Sequence, residues 1–288
     1  MSLIKKGSDS KRRDYASYTK ISTPPAFFRD QLTVDEVEKG RLWADEVRAD
    51  AGNPDRTFVV SDGETVTVKD VKSLLPHEWL TDSTLHYVIN AMKKKIGLND
   101  PTVHIFKSFF IEKLFESGVP HQLGDADHAN VARWTKKLFS KTPINTMKKI
   151  VFFQNHSNIH WKCYCIFMKE KTIECFDSTG GNVADEKILE GLYHWLEVEM
   201  EGLGRPIEAK NWHLYLSTPA TPRQGNSWDC GIYMLLFGLC IAQGQSLALV
   251  TPERVDVARR LLLLHFLEME EKHPVVYTIV DSPMRKRL

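Results

Sequence analysis

The stretch KIVFFQNHSNIHWKCYCIFMKEKTIECFDS, running from Lys149 to Ser178, decides how this chain folds. Lys149 to Phe153, Trp161 to Met168 and Thr172 to Phe176 are short runs rich in β-branched and aromatic residues, the composition of buried strands. The polar segment Asn155 to Asn158 separates the first run from the second. A tight Lys-Glu-Lys turn joins the second to the third, which closes at Asp177-Ser178. Downstream the period changes. A helix is predicted over Ala184 to Met200, a strand over Trp212 to Leu216, then a Pro-rich loop and an apolar helix starting near Asp229. A long amphipathic helix from Pro252 to about Glu271 follows.

Upstream, Val34 to Ala51 is charged and helix-prone. Phe58-Val59-Val60 and Thr65 to Val68 flank Asp62-Gly63 as a β-hairpin. Leu85, Val88, Ile89, Met92 and Ile96 recur at helical spacing, with Thr81 to Ser83 able to cap the start and Gly97 the stop. Phe106 to Phe115 and Val131 to Phe139 read as further helices around a long polar loop, Gly118 to Asn130. Strands grouped in the middle and flanked by helices predict an α+β fold, not alternating βαβ units. The division expected is a flexible polar arm over 1–30, a helical extension over 31–57 and one catalytic domain over 58–288.

The balance of 42% hydrophobic and 26% charged residues suits a globular domain, and a net charge of +1 gives no sign of nucleic-acid binding. No apolar run reaches the ~18–20 residues of a membrane span, and the polar N-terminus reads as no secretory leader. Five cysteines, an odd and sparse set, argue for free thiols in a reducing, intracellular setting, nuclear or cytoplasmic. Cys163-x-Cys165 has no second Cys/His pair at finger-like spacing, so no metal and no cofactor is expected.

Four positions carry chemistry. Cys230 stands where the polar loop Gln224-Gly225-Asn226-Ser227-Trp228-Asp229 turns into the apolar helix. A thiol at a helix N-terminus is favoured as thiolate, and Gly231 leaves the approach to the sulfur open; the rival reading is the first residue of a buried helix and no more. His160 opens one strand and Asp177 ends its partner, 17 residues on, so a hairpin brings both to one end of the sheet. That is the arrangement a Cys–His–Asp triad needs, although either residue alone is more often a surface group. Gln224 is placed either to donate to an oxyanion or simply to be solvated. His156 is a rival base, lacking the Trp that follows His160.

Trp79-Leu80-x-Asp82, Phe106-x-Ser108-Phe109-Phe110, Arg133-Trp134-Thr135-Lys136-Lys137, His160-Trp161, Asp177-Ser178 and Gln224-x5-Cys230-Gly231 together resemble the ubiquitin-like-protein-specific proteases. These are the SUMO/sentrin proteases of papain-like fold, with a central mixed sheet flanked by helices. The likeness runs in order from about Val66 to Leu267. It implies a thiol peptidase acting after the C-terminal Gly-Gly of a SUMO-type modifier, on precursors or conjugates, as a monomer. Cys230 would be nucleophile, His160 base and then acid, Asp177 the orienting carboxylate and Gln224 the oxyanion donor. Trp79 and Trp161 match the pair that sandwiches the Gly-Gly tail, and Asp82 an acid that meets a basic group near it.

The chain departs from the family pattern at Gly118 to Asn130, which is longer and more polar, and before Trp79, where the match is loose. Both regions border the modifier-binding face, which keeps NEDD8 open beside SUMO, while the Arg-Trp-Thr-Lys-Lys motif favours SUMO. An acyltransferase on the same scaffold, or a module that only binds a modifier, are the remaining readings.

Overall fold

A computed structural model describes residues 29–49, 53–61, 64–95, 100–117, 124–181 and 183–272. Residues 1–28 of the expected arm, the Asp62-Gly63 turn, the stop at Gly97 and residues 118–123 of the polar loop therefore lie outside the described residues. Two strands, β1 (Thr57–Ser61) and β2 (Glu64–Thr67), pair antiparallel as a hairpin. Five more form one mixed sheet in simple order: β3 (Val103–Ile105), β4 (Lys149–His156), β5 (His160–Phe167), β6 (Thr172–Phe176) and β7 (His213–Tyr215). The outer pairs are parallel and the three central strands antiparallel.

Period-two alternation divides the core between the faces of this sheet. Val151, Phe153, Cys163, Cys165 and Phe167 join one buried cluster, and Ile150, Phe152, Tyr164 and Ile166 the other. Because both faces are covered, β4 and β5 read as nearly continuous apolar runs, as central strands between two layers must. Helix α7 (Cys230–Gln243) covers the first face. Helices α4 (Phe109–Leu114) and α6 (Val183–Glu201) cover the second.

Helix α7 is buried on all sides from Cys230 to Ala242. Each large side chain so buried contributes about 1.5–3 kcal/mol. That outweighs the roughly 1 kcal/mol a mid-helix glycine costs, so packing holds α7. At Gly238 an added Cβ would stand 2.4 Å from Cζ of Phe153, so the helix lies on the sheet at a distance only glycine allows. Helix α8 (Pro252–Lys272) packs outside α7, and α1 (Val34–Ala49) packs on α8. Val47 of α1 and Phe58 of β1 belong to the same buried cluster as α7. Among the described residues no helix is long and apolar enough to cross a membrane.

The remaining helices are α2 (Val68–Lys72), α3 (Asp82–Lys95) and α5 (Ala132–Phe139). Three boundaries that differ from the sequence expectation are informative. β4 continues through Asn155 and His156, which the sequence placed in the polar segment, because they pair with Trp161 and His160. The strand predicted through Val68 stops at Thr67, whose hydroxyl and the Asp70 carboxylate make a reciprocal capping box that starts α2. The helix predicted from Phe106 starts at Phe109, because Val103–Ile105 pairs with β4 and the Phe106 N–H continues to Val151 O at 2.9 Å.

The close approach at Gly238 is testable. Gly238→Ala should destabilise by about 1–3 kcal/mol, the usual cost of overpacking. Gly40→Ala on α1, where an added Cβ meets nothing within 4 Å, should be neutral or stabilise by up to about 1 kcal/mol. Urea unfolding of the two variants beside wild type checks both; a Gly238→Ala midpoint equal to wild type would contradict the packing described.

Candidate active site

Cys230 is the first residue of α7, and the loop before it is held from several sides. Asn226 Oδ1 accepts the backbone N–H groups of Trp228 at 3.2 Å and Asp229 at 3.0 Å, while its Nδ2 donates to Asp229 Oδ2 at 2.7 Å. Asp229 Oδ1 in turn meets Arg259 of α8, at 3.0 Å from Nε and 2.8 Å from Nη2. The rest of that guanidinium is also used. Nη1 donates to the carbonyls of Ser73, Leu75 and Glu78 and Nη2 to that of Trp228, all at 3.0–3.1 Å. A guanidinium carries five donors in a rigid fork, and here one buried cation ties the Cys230 loop to the segment leading into Trp79.

His160 begins β5, at the end of the β4–β5 hairpin. The hairpin turns through Ser157 and Asn158, both in left-handed backbone, and is closed by Ile159 N–H to His156 O at 3.0 Å. Paired φ values of this sign are those of a type I′ turn, whose twist matches that of the strands. Cys163 faces Phe176 across β5 and β6. Continuing that register places Lys162 opposite Asp177 and His160 opposite Thr179.

His160 Nε2 lies 2.8 Å from Asp177 Oδ1, and Cys230 is near enough to act on the proton affinity of the same imidazole. Thr179 binds Asp177 Oδ1 through both its N–H and its hydroxyl, at 2.8 Å each. Three residues from three elements thus meet. Burial lowers the imidazole's proton affinity, but hydrogen bonds and charge from Asp177 and Cys230 outweigh it and carry His160 up to about 9. Burial likewise opposes ionisation of Asp177. His160, the Thr179 N–H and Lys162 overcome it and hold the carboxyl at about 2. The arrangement can keep an imidazolium beside a sulfur across the neutral range.

The other expected site residues lie around this group. Gln224 is part-buried; its Oε1 accepts from Ser178 Oγ at 2.5 Å and its Nε2 donates to Asn226 O at 2.6 Å. A carboxamide nitrogen has two hydrogens, so one remains for a substrate oxygen. Trp79 is 45% exposed, with its indole N–H on Ser227 O at 3.0 Å, so it spans to the Cys230 loop. Trp161 is only 3% exposed; its N–H is on Leu80 O at 2.9 Å. A Cβ on Gly231 would stand 2.6 Å from Leu80 Cβ and 3.1 Å from Trp161 Cδ1. The glycine after the cysteine therefore lets the helix start lie against Leu80 and Trp161, a packing requirement where the sequence suggested only open access to sulfur. Asp82, in the first turn of α3, accepts from Ser108 Oγ and, at 3.2 Å, from Asn155 Nδ2. His156 is half-buried, and burial followed by the charge of Lys162 lowers its proton affinity.

Sequence reasoning missed Arg259 and Lys162. Arg259 stands in the stripe Val255, Ala258, Leu262 and Phe266 that α8 buries, and a charge on an apolar stripe was the available signal. Lys162 sits between Trp161 and Cys163 in a strand with no solvent face, so its charge had to be neutralised inside.

With this geometry in hand, comparison with known proteins is informative. Residues 78–269 match the Ulp1 protease family, C-terminal catalytic domain. Ubiquitin-like-specific protease 1 of Saccharomyces cerevisiae is 29% identical over 196 residues, 67% of this chain and 28% of that protein. Human sentrin-specific protease 2 is 24% identical over 251 residues, 84% of this chain and 39% of that protein. The chain thus spans well under half the length of either relative. The structure of the C-terminal Ulp1 protease domain in complex with Smt3, the yeast ortholog of SUMO, matches with a TM-score of 0.64 at 26% identity, covering 83% of this chain and 96% of that one. The catalytic domain of a Chaetomium thermophilum Ulp1-like SUMO protease shares the fold, with a TM-score of 0.61 at 21% identity over 80% of this chain and 89% of that one. Its α+β sheet, its helix-borne cysteine and a match covering well over half its length agree: the chain belongs to the Ulp1 protease family and carries that family's C-terminal catalytic domain.

Proposed function

We propose that this chain is a thiol peptidase that cleaves after the C-terminal Gly-Gly of a ubiquitin-like modifier of the SUMO type, with Cys230 as nucleophile. The observation that carries the reading is the grouping of Cys230, His160 and Asp177: a thiol at the start of a buried helix, close to an imidazole that a buried carboxylate holds at 2.8 Å. The choice of SUMO rests on relatives, since the matched yeast domain is in complex with Smt3 and human sentrin-specific protease 2 is among the similar proteins.

The thiolate of Cys230 attacks the carbonyl carbon of the terminal glycine. Negative charge collects on the carbonyl oxygen, where the Cys230 N–H and the second N–H of Gln224 donate. His160 gives its proton to the departing amine, the C–N bond breaks and a thioester remains. Water, deprotonated by His160, then attacks the thioester, and carboxylate and thiol are released. Asp177 holds the ring throughout and favours its protonated form. Trp79 and Trp161 would confine the tail, and residues lacking side chains pass most easily between two indoles. Asp82 would meet a basic group near the tail.

Cys230→Ser should abolish hydrolysis of a modifier bearing a C-terminal fluorogenic amide while leaving modifier binding within about a few-fold, since removing one member disables the unit. A modifier with an electrophilic C-terminus should label Cys230 alone. Burial raises the proton affinity of Cys163, Cys175 and Cys240, which keeps those thiols protonated. Mass spectrometry locating the adduct on any of them would remove Cys230 from its assigned role.

The pH profile tests His160 and Asp177. The imidazolium is required, so activity should fall on the alkaline side near the value of about 9 to which His160 is raised. Asp177→Asn removes a charge that raises that value, so the alkaline limb should move down, with kcat lower by orders of magnitude. An unmoved limb in Asp177→Asn would assign the orienting role elsewhere.

The substrate class is tested with a panel of ubiquitin-like proteins carrying the same reporter. SUMO-type tails ending Gly-Gly should be cut fastest, and Gly-Ala tails roughly a hundredfold slower because the scissile carbonyl is displaced. Equal rates on the two tails would refute confinement by the tryptophans.

A further inference from the structure

Behind the imidazole lies a buried set of charges that the chemistry above does not use. Lys162 is 4% exposed, and its ammonium lies 2.7 Å from Asp185 Oδ1 at the start of α6 and 3.3 Å from Asp177 Oδ2. Both carboxylates are as buried as the lysine. Tyr164 of β5 donates to the same Asp185 oxygen at 2.8 Å and lies 3.1 Å from Gln154 Oε1 of β4. The two oxygens of Asp177 are treated differently. Oδ1 serves His160 and Thr179, whereas the buried Oδ2 accepts no hydrogen bond among the described residues and has the lysine charge beside it.

Resting on the triad reading above, we propose that Lys162 is a positioning residue of this site: its ammonium, held in place by Asp185, secures Oδ2 of Asp177 so that Oδ1 stays turned to His160. A buried ammonium is costly unless paired, and a purely space-filling role at this position would be met by an apolar residue. The cross-strand register explains how the clamp arises. Lys162 and Asp177 face each other across β5 and β6, on the face where α6 delivers Asp185. The groups around the ammonium are Asp177, just past β6, Cys175 of β6, Gln154 and His156 of β4 and Asp185 of α6, with His160 and Tyr164 of β5 bonded to the two carboxylates. Burial lowers the proton affinity of Lys162, but Asp185 and Asp177 more than restore it, so it remains a cation.

The sign of its effect follows. Removing a positive charge raises the proton affinity of the neighbouring His160–Asp177 pair, which is opposite to the effect of Asp177→Asn. Loss of fold alone would weaken the His160–Asp177 bond and act in the same direction as Asp177→Asn.

The experiment uses the full chain as wild type, Lys162→Met, and the double variant Lys162→Met/Asp185→Asn, which removes both charges of the second pair. Three readouts are taken: melting temperature, kcat and KM on the fluorogenic modifier, and the pH dependence of Cys230 alkylation by chloroacetamide. Lys162→Met should lower kcat roughly ten- to a hundredfold, as small misplacements do, with KM nearly unchanged, and should move the alkaline limb of alkylation upward. The double variant should regain the wild-type melting temperature yet keep the low kcat. Recovery of kcat along with stability would overturn the proposal, because Lys162 would then only neutralise Asp185. A double variant that stays unfolded, or a limb that moves down, would overturn it as well. Alkylation needs no modifier, so a wild type that cuts no modifier would defeat the proposed function while leaving this test readable.

Discussion

Everything at the site depends on one buried guanidinium. Arg259 accounts for its own charge with Asp229 and spends its remaining donors on four backbone carbonyls, three of them in residues 73–78 and one at Trp228. Those two segments carry Trp79 and Cys230, the residues on either side of the space where a tail would lie. A carbonyl buried without a partner costs about 1–3 kcal/mol. Replacing Arg259 with an uncharged residue would therefore strand several such groups and Asp229 together. Lysine could not substitute, since a point charge with three donors cannot reach five acceptors on two segments.

The sheet supplies the complementary half of the geometry. His160 and Asp177 stand at one end of two antiparallel strands, and α7 lies over the first face with Cys230 at the corresponding end. The close seat at Gly238 on Phe153 and at Gly231 on Leu80 sets how high the helix rides, and hence where the sulfur meets the imidazole. Electrostatics then separates the thiols. Burial disfavours a charge on Cys163, Cys175 and Cys240, and the carboxylates near Cys175 act in the same direction, whereas Cys230 sits at a helix N-terminus close to His160. Under the proposed function, one fold thus sets a single thiol apart from the buried ones.

Much of this was legible from residues near one another in the chain. The strands of the central hairpins announced themselves by composition, and antiparallel pairing alone puts His160 and Asp177 at the same end. Cys230 stood out because a polar loop meets an apolar helix there. Less visible were features whose meaning lies in distant partners. β3 is only three residues long, too short to show a period, and exists because β4 offers it an edge. α2 is a single capped turn that β-prone Val68 masked. Arg259 finds its acceptors up to 186 residues away. Lys162 reads as a solvent-facing strand residue until α6 closes that face.

The place of Arg259 near the end of the described chain sets a condition on biosynthesis. The strands and α7 precede it in the sequence, so Cys230, His160 and Asp177 are all made before the helix that carries Arg259. A chain halted short of residue 259 lacks the guanidinium that joins Asp229 and Trp228 to residues 73–78. The Cys230 loop thus reaches the setting described above only once the last described helix has docked.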